Sequence, residues 1–177
     1  MTTEHPNDNH RPVLLSIGLV DWRSTLAMAA LIILVVVTLL LRWQQHGFGR
    51  AKVTLNGTVI LSVEVAASDS TRRRGLSGRT SLPEDMGVLF LFSEPKKHIF
   101  WMKDMKFPIE AIWIRDGQIV DLSYGLLPPS EGESPQVFTS TESAGAVLEV
   151  SAGFIEKHDI RLGQPVTADV DRLGGLR

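Results

Sequence analysis

Seventeen consecutive residues, Thr25 to Leu41 (TLAMAALIILVVVTLLL), contain neither a charge nor a helix breaker. At about 1.5 Å per residue such a run makes about 26 Å of helix, the short end of a bilayer span. Trp22 and Trp43 flank it, and Arg23 and Arg42 close its ends, as interfacial anchors do. A buried core helix is the competing reading. A helix apolar all round and bracketed by Trp and Arg suits lipid better than a small core. A cleaved signal peptide does not fit, because the apolar run is too long and Leu41 is followed by Arg-Trp-Gln-Gln-His rather than a small-residue site. The expectation is an uncleaved single-pass anchor over residues 24–42, with the lipid bilayer as partner. Arg11 and Arg23 stand on one side and Arg42, Arg50 and Lys52 on the other, so charge does not decide the orientation.

The rest of the chain is organised around that segment. Residues 1–23 form a polar, largely disordered tail, interrupted by the short apolar run Val13–Val20. Residues 43–51 are a linker, residues 52–170 a β domain and residues 171–177 a frayed C-terminus. The chain has no cysteine, which removes disulfides, thiolate catalysis and Cys-based zinc sites. A net charge of −2 offers no field for nucleic acid, and none is expected as a partner.

Within the β domain, Asn56-Gly57 is the favoured two-residue hairpin turn. Val59, Leu61, Val63 and Val65 alternate after it, with Ile60 breaking the pattern and implying partial cover on both faces. Ser68–Gly78 predicts a short helix, capped by Ser68 or Asp69 and ended by Gly75 or Gly78. Val88–Phe92 predicts a strand buried on both sides, with a turn at Ser93–Lys96. In His98–Met102 alternation puts His98, Phe100 and Met102 on one face and Ile99 and Trp101 on the other. Pro108 forces Phe107 into extended geometry and opens the strand Ile109–Ile114. Asp116-Gly117 turns the chain into a return strand, Ile119–Tyr124. Residues 125–143 are the longest loop candidate, Ala146–Val150 a strand, Phe154–His158 a short helix and Ile160–Val166 a final strand. The predicted fold is mainly β: a compact β-barrel or strongly bent antiparallel sheet with one or two short helices, preceded by one transmembrane helix.

A set of short motifs runs through this domain in order. They are Arg-x-x-Gly-Leu (72–76), Met-Gly-Val-Leu-Phe (86–90), Phe-Trp-Met-Lys (100–103), Pro-Ile-Glu (108–110), Val-Leu-Glu (147–149), Ala152-Gly153 and Ile-x-x-Gly (160–163). Together they resemble the family known as domain of unknown function 192, over roughly Val59 to Val170. Its usual Lys-Asn-Thr is Lys103-Asp104-Met105 here, and its Pro-Leu-Asp is Pro108-Ile109-Glu110. The resemblance implies a compact, mostly β domain, often behind an export signal or anchor, with no known activity. It places the β domain on the extracytoplasmic side.

Three constellations could carry chemistry. Arg72 or Arg73 with Lys103, Asp104, Glu110 and Glu149 would form a polar site, and paired carboxylates can share acid and base roles. Each could equally be a structural ion pair, and consecutive arginines on a helix cannot all face one ligand. Met86, His98, Met102 and Met105 could offer soft metal ligands, but methionines beside Trp and Phe are ordinarily core, and no metal or other cofactor is expected. Trp101, beside Lys103 and the 125–143 loop, could be an aromatic platform for a glycan or peptide, with Trp101 or Trp113 instead filling core. The reading is a membrane-tethered extracytoplasmic binding or interaction module with an unknown ligand or protein partner and no assigned catalysis. Its alternatives are a small hydrolase built on the carboxylate/Arg cluster and a structural or chaperone-like envelope protein.

Overall fold

The computed structural model describes residues 22–45 and 47–169, with side chains between 22 and 46 described for 25–38. The tail before Trp22 and the end after Asp169 lie outside the described residues. The chain forms two compact units, residues 1–44 and 45–177. Helix α1, Trp22–Gln45, is the described part of the first and ends one residue beyond it. Its side chains from 25 to 38 are exposed, Leu31, Ile32, Ile33 and Leu34 each by about 60%. Among the described residues no helix is long and apolar enough to cross a membrane. The spanning anchor expected over 24–42 therefore has no support from the described part of α1.

The second unit is mainly β, with a strongly curled half-barrel sheet. Its strands are β1 (Gly49–Leu55), β2 (Val59–Ala66), β3 (Met86–Lys96), β5 (Ile109–Arg115), β6 (Gln118–Leu126), β8 (Ala144–Ser151) and β9 (Val166–Ala168). They are ordered β6-β5-β8-β3-β2-β1-β9. A separate ribbon pairs β4 (Ile99–Trp101) with β7 (Val137–Thr139). Helices α2 (Asp69–Arg74) and α3 (Phe154–Lys157) complete the unit.

Local chemistry explains the corners. Asn56 (φ 50°) followed by Gly57 (φ 70°), and Asp116 (φ 50°) followed by Gly117 (φ 73°), supply the paired left-handed residues of tight hairpins. Ser68 caps α2 in a reciprocal box: its Oγ accepts from the Thr71 N–H, and the Thr71 hydroxyl accepts from the Ser68 N–H. Helix α2 is the crossover that lets β2 and β3 run parallel. The other sheet pairings are antiparallel. At the far edges Gln118 bridges to Pro165, so the start of β6 meets the chain leading into β9 and the sheet curls almost onto itself.

That curl creates two cores. The inner one draws on every strand of the sheet, including Val53, Leu61, Leu89, Ile112, Ile119, Leu148 and Val166, and is plugged by Phe154 and Ile155 of α3. The outer one covers β3, β5 and β8 with Leu76, Leu82, Met102, Met105 and Phe138. Met102 and Met105 are thus core side chains. Phe100 is the hinge of the outer core, packing edge-on against Phe90 and Trp113 and stacking on Phe138. Trp113 is fully buried and donates its Nε1 proton to Ser123 Oγ at 2.9 Å.

Several sequence expectations change here. Ile60 is 64% exposed, so the face it shares with Ser62 is not covered. Ser93–Lys96 is no turn: β3 continues through it with an irregular register between Leu91 and Lys96, where it leaves β8 and returns at Ala144. The 125–143 loop holds β7, because Val137–Thr139 finds a partner in β4 that periodicity cannot show. Ile160–Gln164 is a turn and not part of the last strand. Its backbone bonds, such as Gly163 N–H to Ile119 O at 2.8 Å, close the sheet corner.

Gly87 of β3 lies close against β8. A Cβ there would lie 2.9 Å from the Glu149 carbonyl and 3.0 Å from Leu148 Cδ1. Backbone cannot yield as a side-chain tip can, so Gly87→Ala overpacks the centre of the sheet. The expected loss is about 1–3 kcal/mol, read as a lower urea midpoint at unchanged slope.

Candidate functional site

The outer core leaves one side open. An open cavity of about 420 Å³ lies between α2 and the β4–β7 ribbon. Phe90, Phe92 and Phe100 form its floor, His98, Ile99, Trp101 and Val137 its ribbon wall, and Asp69, Arg72 and Arg73 its helix wall. Alternation along β4 dictates this arrangement: Phe100 turns inward, while Ile99 (76% exposed) and Trp101 (53% exposed) turn out. Val137, opposite Trp101, is also exposed and enlarges the apolar surface. Lys103 lies over the Trp101 ring, its Nζ 5.2 Å from the centroid.

The three arginines of α2 part company. Arg72 donates from Nη1 to the carbonyls of Ala67 (2.6 Å) and Leu91 (2.8 Å) and from Nη2 to Asp69 Oδ1 (2.5 Å). Its charge is consumed in fastening α2 to β3, and its guanidinium also lies over Phe92. Arg74 turns to Phe48. Arg73 is exposed on the cavity wall and makes no hydrogen bond or ion pair among the described residues. It is a guanidinium free for an anion. His98 stacks on Phe92 with centroids 3.5 Å apart, and its Nε2 is buried without a partner. Burial lowers its pKa, opposed by backbone groups of Glu94 and Ala144, so the ring favours its neutral form.

The carboxylates do not converge. Glu110 and Ala111 are successive residues of β5, and Ala111 is paired with Glu149 of β8, so Glu110 and Glu149 project from opposite faces of the sheet. Glu110 points inward, where Oε2 accepts the Ile155 N–H at 2.8 Å and supplies the cap that Gly153 cannot give α3. Glu149 lies on the outer face, 5% exposed, with no hydrogen bond to its carboxyl among the described residues. Lys103 and Asp104 are exposed on a turn whose backbone is what matters. Lys103 O accepts from Ser77 Oγ (2.8 Å), Asp104 O accepts from Gly78 N–H (2.9 Å), and Asp104 is left-handed at φ 57°. Asn and Asp both tolerate that conformation, which accounts for Asp at a position where the resemblance expects Asn. The structure therefore brings Arg72, Arg73 and Trp101 to one cavity, sets Lys103 on its rim, and separates Asp104, Glu110 and Glu149. Among the described residues no cluster of three His, Asp or Glu could hold a metal.

Sequence reasoning missed Arg79. It grips Glu64 with two bonds, Nη1 to Oε1 at 3.0 Å and Nη2 to Oε2 at 2.6 Å, and lies over Phe48. That hydrogen-bonded pairing lowers the Glu64 pKa against the effect of burial. The available signal was Glu64 itself, a carboxylate inside an apolar strand, which requires a partner.

The comparisons with known proteins agree with this fold. The model of the family domain of unknown function 192, described as uncharacterized ACR, matches residues 51–168. Among solved structures, a protein of Sinorhizobium meliloti 1021 with a proposed role as a transcription regulator is 28% identical, with a TM-score of 0.62 over 69% of this chain and 95% of its own. A protein of unknown function from Novosphingobium aromaticivorans DSM 12444 is 24% identical, with a TM-score of 0.59 over 68% of this chain and 84% of its own. No curated protein sequence matches the chain.

Burial raises the Glu149 carboxyl from 4.5 to about 8, with Arg79 pulling the other way. An unfolded Glu149 ionises near its ordinary value, whereas the folded one holds its proton. Its contribution to stability is therefore greatest below pH 4.5 and is lost progressively as pH rises towards about 8. In urea titrations across that window, Glu149→Gln should flatten the decline relative to the parent and make the protein more stable than the parent at pH 8. Parallel curves would show that Glu149 ionises normally in the folded state.

Proposed function

The chain belongs to the domain of unknown function 192 family, and from that membership and the aromatic groove we propose a binding module, tethered to a membrane with its β domain on the extracytoplasmic side. The single observation that carries the binding reading is the cavity between α2 and β4. It combines three phenylalanines, a half-exposed tryptophan and an unpaired guanidinium, the composition of a site for an apolar ligand with one anionic group. A hydrolase built on paired carboxylates has less in its favour, because Glu110 is a helix cap and Glu149 lies across the sheet from it. The likeness to the Sinorhizobium meliloti protein would import a regulatory role on nucleic acid. A net charge of −2 and a groove in which, among the described residues, Arg73 is the one unpaired cation favour a small ligand or peptide instead.

The tether rests on composition. Residues 25–41 are uncharged and tryptophans stand at both ends. The outward orientation rests on the resemblance, since the flanking charges are balanced.

Three measurements test these proposals. The full chain should stay with membranes through carbonate extraction, and an alkaline-phosphatase fusion after Arg177 should be active. Release into the soluble fraction, or activity only of a cytoplasmic reporter at that position, would remove the tether or its orientation. In a thermal-shift screen of small aromatic carboxylates, the parent should be stabilised by at least one compound. Trp101→Ala and Arg73→Glu should each lower that shift by more than half at equal ligand. An unchanged shift in both variants would place binding elsewhere.

A further inference from the structure

The ribbon carries a feature that the binding reading does not use. Strand β4 is hydrogen-bonded on one side only, and β7 is its only partner among the described residues. Met102 N–H donates to Gln136 O at 2.9 Å, and the register pairs Ile99 with Thr139, Phe100 with Phe138 and Trp101 with Val137. In an antiparallel ladder, bonded pairs recur at every second residue. The bonds to β7 thus fall at Phe100 and Met102, and the N–H and C=O of Ile99 and Trp101 point to the other edge. No partner for those groups exists among the described residues.

That free edge opens on the groove. The cavity touches residues of both faces of β4, inward Phe100 and outward Ile99 and Trp101, and of β7 only the outward Val137, not the inward Phe138. The side of β4 towards β7 is closed by hydrogen bonds, so a cavity that touches both faces of β4 and only the outer side chain of β7 passes around the unpaired edge of β4. Arg73 stands on the opposite wall, and the phenylalanines lie beneath. The walls are therefore a row of backbone donors and acceptors with a repeat of two residues, an apolar floor, and the guanidinium of Arg73, unpaired among the described residues.

We infer that the groove takes an extended peptide segment that adds as a strand to the edge of β4, presses alternate apolar side chains onto Phe90, Phe92 and Phe100, and places an acidic side chain on Arg73. The inference rests on the groove being the binding site and names its ligand. Strand addition is a recurrent mode of peptide recognition in which backbone bonds give affinity and pockets for alternate side chains give selectivity. The charge is complementary: Arg72 is already neutralised by Asp69, whereas Arg73 is not, and a planar guanidinium matches a carboxylate in two bonds. An edge bearing exposed Ile99 and Trp101 is otherwise a liability that proteins ordinarily cover or charge.

The test uses the full chain and a capped hexapeptide, acetyl-Thr-Val-Glu-Val-Phe-Thr-amide. Titration followed by amide NMR should shift the Ile99 and Trp101 N–H signals in a saturable manner. Replacing the peptide's Glu by Gln, or Arg73 by Glu, should weaken binding about tenfold, as expected for loss of a charge-assisted pair. Methylating the peptide nitrogens at alternate residues should abolish it. Arg74→Glu, which lies towards Phe48, should leave it unchanged, and thermal melts confirm that each variant is folded. Equal affinity of the N-methylated peptide, or no binding by a protein with dispersed amide signals, overturns strand addition. So does a dimer, seen by sedimentation, that shifts the same two amides without peptide, because a second copy then occupies the edge. An aromatic carboxylate that binds through Arg73 and Trp101 when the peptide does not would leave the binding reading standing and this one refuted.

Discussion

The structure depends on a sheet whose central strands are apolar on both faces. Every residue of β5 from Ile109 to Ile114 is buried, and β8 is buried from Ala146 to Val150. Neither face can be left to water, since each apolar side chain contributes about 1.5–3 kcal/mol when covered. One face is covered by the sheet's own curl and by α3. The other has to be covered by something added, and α2, the segment after it and the β4–β7 ribbon are what the chain supplies. The groove exists because this outer cover is assembled from two pieces that do not quite meet.

The polar residues follow from the same constraint. Buried among apolar neighbours, each carboxylate needs a partner or must hold its proton. Glu64 has Arg79, Glu110 has the end of α3, and Glu149 has neither and is pushed towards its neutral form. An acid-base pair would require two of them on one surface, and strand alternation forbids it for Glu110 and Glu149. Among the residues lining the open cavity, Arg73 is the charge without a partner, and it stands with aromatic rings rather than with a second carboxylate.

The elements legible in the sequence are those governed by local rules. Asn56-Gly57 and Asp116-Gly117 announce their hairpins because only a few residues accept two left-handed conformations in succession. The division of Ile99 and Trp101 from Phe100 and Met102 needs nothing beyond strand alternation. What stayed hidden depends on pairing at long range. Val137–Thr139 is an unremarkable triplet until β4 lies beside it. The parallel partnership of β2 and β3 cannot be read from either strand. That Glu110 and Glu149 are separated requires knowing that Ala111, not Glu110, stands opposite Glu149. Arg79 was overlooked for a similar reason, since its partner is 15 residues away in sequence and on another element.

The bond from Ile155 N–H to Glu110 has a consequence for how the chain finds its fold. Where strands are apolar on both sides, a slip of one residue exchanges one greasy face for another, and burial alone scarcely distinguishes the two alignments. A buried carboxylate does distinguish them. Slide β5 by one position and Glu110 leaves the helix end for the outer core, stranding both its own carboxyl group and an amide of α3. One of the candidate site carboxylates thus serves as an alignment mark, penalising misassembled sheets that hydrophobicity would tolerate.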